Sequence, residues 1–86
     1  QEYPALHDVV DVAGNDVLNI RSEPSASAPI VGALDPYQTA VEIIASDHSG
    51  KWGMVNANET IGWVSLRYVK GFHLISQLLK LFQLAL

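Results

Sequence analysis

The 86-residue chain contains no cysteine, so neither a disulfide framework nor a thiolate metal site is open to it. Charge is scarce as well. Only 16% of residues are charged while 49% are hydrophobic, a balance that suits a folded chain and not a disordered one. Long apolar runs are missing too, and none approaches the roughly 20 residues that a membrane-spanning helix needs. Bases are fewer than acids, five against nine, and they are unevenly placed. Residues 1–69 carry all nine acids against Arg21, Lys51 and Arg67, a net charge of −6. Residues 70–86 carry Lys70 and Lys80 and no acid, a net charge of +2. Binding to a phosphate backbone depends on clustered Lys and Arg, so nucleic acid is not an expected partner.

What is present suits one small domain. A chain of this length buries only about 60–65% of the surface that its unfolded form exposes, so every apolar cluster matters. It opens at Gln1, as a mature chain left by signal cleavage would, and as a trimmed one would. The expectation drawn is export, to the periplasm or outside the cell.

Short strands separated by turn signals dominate the body. Residues 1–8 (QEYPALHD), broken by Pro4, read as a lead-in. Val9, Val10 and Val12 suggest a first strand, closed by the turn chemistry of Gly14-Asn15-Asp16. Leu18 and Ile20 alternate with Asn19 and Arg21 in a second strand over 17–21. A third, over 30–34, contains Gly32, which fits a bend or a close backbone approach. Thr39 to Ala45 places Val41 and Ile43 on one face and Glu42 on the other. Trp52 to Val55 and Ile61 to Leu66 follow, with a loop over 56–60 between them. This spacing predicts a small all-β barrel of about five strands, a single sheet closed on itself to remove its edges.

Four blocks in order, "LNIR" with "SEPSASAP", "IVGAL", "KWGMV" and "IGWVSLRYV", resemble a bacterial Src-homology-3 (SH3) domain over residues 9–69. In that family a Leu-Asn-[Val/Ile]-Arg strand leads into a Ser/Pro loop and an Ile/Val-Gly-x-Leu strand. A Trp then opens the central hairpin and Gly-Trp-Val closes it. The resemblance implies an SH3-like barrel that binds a cell-wall peptide or a protein segment, with Tyr37, Trp52 and Tyr68 as its ligand-binding residues. The Ser/Pro loop is expected to be flexible and polar, carrying the chain from one edge back in from another direction, with Pro24 and Pro29 holding its ends extended. Three departures stand out. Asp35-Pro36-Tyr37-Gln38 lengthens a turn, Gly53 replaces a larger residue and so removes one wall beside Trp52, and nothing in the motif accounts for 71–86.

The residues that could carry chemistry form no catalytic set, and no enzyme is expected. His7, His48 and His73 lack metal-ligand spacing and read as solvated surface groups. The serines lie near no paired histidine and acid. No metal, cofactor or phosphate-binding loop is expected. Asn58-Glu59-Thr60 matches a glycosylation acceptor pattern but reads better as a hairpin tip. Trp63 reads as core. Trp52 could be core or contact, and each tyrosine could line a groove or simply cover one end of the barrel.

The tail is a separate unit, giving the organisation lead-in 1–8, barrel 9–69, tail 70–86. Leu74, Ile75, Leu78, Leu79, Phe82 and Leu86 fall on one side of a helical projection, and Ser76, Gln77, Lys80 and Gln83 on the other. Thirteen residues reach about 20 Å as a helix, short of a ~30 Å hydrocarbon core, so the expectation is an amphipathic C-terminal helix and not a span. Its apolar face could be covered by the barrel, a second copy, another domain or lipid. A second copy is the cover chosen here, which makes the chain a homo-oligomer through these six residues. Dimerisation or docking by this helix is the alternative function to ligand binding.

Overall fold

Buried residues two apart, such as Leu18 and Ile20 or Val41 and Ile43, build the core, as the alternation of a half-buried strand requires. The computed structural model describes residues 3–71. They form seven strands: β1 (Ala5–Val9), β2 (Leu18–Arg21), β3 (Ile30–Leu34), β4 (Val41–Ser46), β5 (Trp52–Ala57), β6 (Thr60–Ser65) and β7 (Val69–Gly71). A 3₁₀ turn over Leu66–Tyr68 precedes β7. All pairings are antiparallel and the order is β3-β2-β6-β5-β4-β1-β7.

Val9, Leu18, Ile20, Leu34, Val41, Ile43, Val55 and Val64 make one core cluster drawn from six of the strands. In a flat sheet β1 and β2 would stand four strand spacings, about 19 Å, apart. Sharing one core requires the sheet to curl around it. The β2–β3 hairpin meets β6 through the single pair Arg21↔Trp63, so it crosses β6 steeply. At that crossing Gly62 lets the backbones close: a Cβ there would lie 2.6 Å from the Arg21 carbonyl oxygen and 3.2 Å from Val31.

Several expectations change. The strand β1 starts at Ala5, so the second half of the segment read as a lead-in is strand, paired with both β4 and β7. The strand count is seven, not about five. Among the described residues β3 and β7 are the outer strands of the ladder, so these strands do not close the sheet by pairing with each other. β2 and β3 are direct antiparallel neighbours, with Leu18 opposite Leu34 and Ile20 opposite Gly32. The Ser/Pro segment is therefore the loop of a long hairpin and does not redirect the chain. Its own bonds organise it: Ser22 N–H donates to the Pro29 carbonyl at 2.9 Å, Arg21 Nη1 to the Ala28 carbonyl at 3.0 Å, and Ala28 is buried.

Two side chains also move class. His7 is 2% exposed, its ring parallel to Tyr3 with centroids 6.2 Å apart and Nδ1 3.1 Å from the Ala5 carbonyl oxygen; it is a core histidine, not a solvated one. Trp63 is half-buried and outside the core cluster, because strand alternation turns its neighbours Gly62 and Val64 inward. The C-terminal helix and its residues Leu74, Ile75, Leu78, Leu79, Phe82 and Leu86 lie outside the described residues. No helix among the described residues is long and apolar enough to cross a membrane.

Candidate functional site

Trp52 is the first residue of β5, and the turn before it fixes its place. The Trp52 amide donates to Asp47 Oδ1 at 3.0 Å, and the Asp47 amide returns a bond to the Trp52 carbonyl at 2.9 Å. Desolvation raises the Asp47 carboxyl, but hydrogen bonds from the Trp52 amide, the Ser49 hydroxyl and the Ser49 and Lys51 amides together outweigh it. The group therefore titrates below its ordinary 3.8. Across the ladder Trp52 pairs with Ser65, which places both on the same face of the sheet.

Tyr68 closes the 3₁₀ turn and packs against the core. Its carbonyl accepts from the Val10 amide at 2.8 Å, which ties the loop between β1 and β2 to this corner. The Arg67 guanidinium lies 5.8 Å from the Tyr68 ring centroid, within cation–π range. In the loop itself, Asp11 adopts a left-handed φ of 58°. The Asp16 amide then closes a turn on the Ala13 carbonyl at 2.9 Å.

These elements enclose a solvent-facing groove of about 420 Å³. The loop side contributes Asp11, Val12, Ala13, Asp16 and Val17; β2 contributes Leu18, Asn19 and Arg21; Ala26, Trp52, Ser65 and Tyr68 complete it. Two of the three predicted contact residues, Trp52 and Tyr68, are thus brought together. Tyr37 is not among the lining residues. It is 77% exposed, and its hydroxyl would sit 2.6 Å from a Cβ on Gly14, so the ring lies against the loop whose Ala13 and Asp16 do line the groove.

Gly53 removes nothing from the groove wall. Its missing side chain would point inward, 2.6 Å from Leu66 Cδ2 and 2.8 Å from Ile43 Cγ2, where no larger residue fits. Asp11, Asp16, Asn19 and Arg21 are groove residues that the sequence reading did not single out. Their signal was present in the turn Gly14-Asn15-Asp16 set directly before the Leu-Asn-Ile-Arg strand, but which face the loop would present needed the fold. Among the described residues no cluster of three or more His, Cys, Asp or Glu could hold a metal ion.

Asn58 and Glu59 form a two-residue hairpin tip with φ of 53° and 62°, as expected, and the Asn58 amide is fully engaged. It donates to the Ala33 carbonyl at 2.9 Å and to Gln38 Oε1 at 3.2 Å, and it accepts from Gln38 Nε2 at 2.9 Å.

No curated protein matches the chain. The family model for the bacterial SH3 domain matches residues 16–70, well over half of the chain, and this span holds β2 through β6, the 3₁₀ turn and most of the groove. Bacterial SH3 domains are generally binding modules. By that match, and by the all-β antiparallel sheet around one core, the chain belongs to the bacterial SH3 domain family.

Proposed function

We propose that this domain is a non-catalytic targeting module of an exported bacterial protein, which holds a cell-wall peptide or an extended protein segment in the groove between Trp52 and Tyr68. The observation that carries the reading is the convergence of those two aromatics, from different elements, with the 11–17 loop on one groove of about 420 Å³. Aromatic anchors in a partly desolvated groove dominate binding of this kind. Tyr37, beside Gly14, extends the same surface. Action in the periplasm or at the cell wall belongs to this reading.

Retention on isolated peptidoglycan tests it. The wild-type chain is expected to sediment with the sacculi and Trp52→Ala to lose about tenfold or more in affinity. Trp52 is outside the core cluster, so the variant keeps the wild-type circular dichroism. Equal retention of both proteins, or of neither, rejects the groove as the site.

A further inference from the structure

Resting on the reading of the groove as a peptide site, we propose that the groove fixes the direction of its ligand by charge. It takes a short extended peptide whose ammonium group lies toward Asp11 and Asp16 and whose carboxylate lies toward Arg21. All three charged residues line the groove, and none of them makes an ion pair among the described residues. Asp16 commits Oδ1 to the adjacent Val17 amide at 2.8 Å. Arg21 commits one nitrogen, Nη1, to the Ala28 carbonyl, and a guanidinium has further N–H donors to offer a carboxylate.

The two signs occupy different ends. The Val10–Tyr68 backbone bond holds the start of the acidic loop at the Tyr68 corner. Register places Arg21 opposite Trp63 and Ile30, at the far end of β2 beneath the 22–29 loop. Leu18 to Arg21 alone covers about 10 Å at the rise of a strand. The same groove is lined by the apolar Val12, Val17 and Leu18 and by Trp52, and Asn19 and Ser65 bring groups able to hydrogen-bond a peptide backbone. A polybasic ligand would meet Arg21. A polyacidic one would meet two carboxylates and a body of net charge −6. A ligand carrying one charge of each sign, a peptide's length apart, satisfies both ends.

Tetraalanine with free termini, at most about 14 Å long when extended, is the probe, titrated by calorimetry and by the amide shifts of the groove residues. N-acetylation and C-amidation are each expected to weaken binding about fivefold or more. In the Asp11→Asn, Asp16→Asn variant the N-acetylation penalty disappears, while in Arg21→Gln the C-amidation penalty disappears and in Arg21→Lys it persists. Capped and free peptides binding alike, or no binding of the free peptide, overturns the inference. If they bind alike and Trp52→Ala abolishes both, the groove reading stands and only the directional claim falls. If Trp52→Ala changes neither, the groove reading falls with it.

Discussion

A methyl group added at Gly53 would meet the flexible end of Leu66 at 2.6 Å and Ile43 Cγ2 at 2.8 Å. Added at Gly62 it would meet a main-chain oxygen, that of Arg21, at 2.6 Å. A side chain can rotate away, whereas a backbone shift moves a whole strand. Gly53→Ala is therefore expected to cost about 1–3 kcal/mol, as small overpacking changes do, and Gly62→Ala to cost more. Urea denaturation of both variants measures the order, which the steric argument requires. Asp47 offers a test of the other kind. Its carboxyl is held below 3.8 by the amides and hydroxyl around it, so the folded state favours the ionised form. That contribution is complete above the unfolded pKa and is lost as pH falls through the lower folded value. Asp47→Ala is expected to lower Tm at pH 7, and the gap from wild type should shrink to nothing as the solution is acidified below the carboxylate range.

Two loops show how an element can be set by contacts beyond its own sequence. The β5–β6 tip is a two-residue turn with both residues at positive φ, a conformation for which Asn then Gly is the favoured pair. Glu59 accepts strain there that glycine would not. Glu59→Gly is expected to stabilise the domain by about 0.5–1 kcal/mol. Asn58→Ala should cost about 0.5–1.5 kcal/mol, because it removes exposed hydrogen bonds to the Ala33 carbonyl and the Gln38 amide and keeps the positive φ. Thermal melts of the two variants should move in opposite directions. The 22–29 loop is the second case. Its serines and prolines suggested a flexible path, yet the buried Ala28 and the Arg21 bond to its carbonyl fold it back over the hairpin and put Ala26 at the groove.

At the scale of the molecule, one small core supports seven short strands, and β3 is an outer strand that leaves Ile30 56% and Val31 46% exposed. The strand β7 ends at Gly71, opposite His7, and residues 72–86, which follow it in the sequence, contain no acid. Among the described residues the core cluster draws on strands β1–β6, and a chain ending at residue 71 keeps all of them, so it is expected to unfold in a cooperative urea transition of its own. The self-association expected of Leu74, Ile75, Leu78, Leu79, Phe82 and Leu86 should vanish with the tail. Sedimentation of both chains at matched concentration checks it, and two monomers would reject the dimerisation reading.

Local patterns carried much of this into the sequence. The alternation of Leu18 and Ile20, or of Val41 and Ile43, depends only on the two-residue period of a strand, so those core positions were legible before any fold was known. The run over 30–34 was legible as a short apolar stretch bounded by turn residues, and Asn58-Glu59 as a polar tip between two strand signals. What alternation cannot supply is which strand lies beside which. Trp63 read as core because it is large and apolar, but Gly62 and Val64 take the inward places and leave it on the outer face. His7 read as solvated because histidine usually is, but β1 lies between β4 and β7 and buries it. The groove is the extreme case. Trp52 and Tyr68 were visible as aromatics at the ends of elements, while Asp11, Asp16 and Arg21 join them only because the Val10–Tyr68 bond and the Arg21↔Trp63 crossing bring distant loops together. Periodicity along the chain determined the strands and most of their buried faces; the curl of the sheet, a property of pairings between residues far apart in sequence, decided the site.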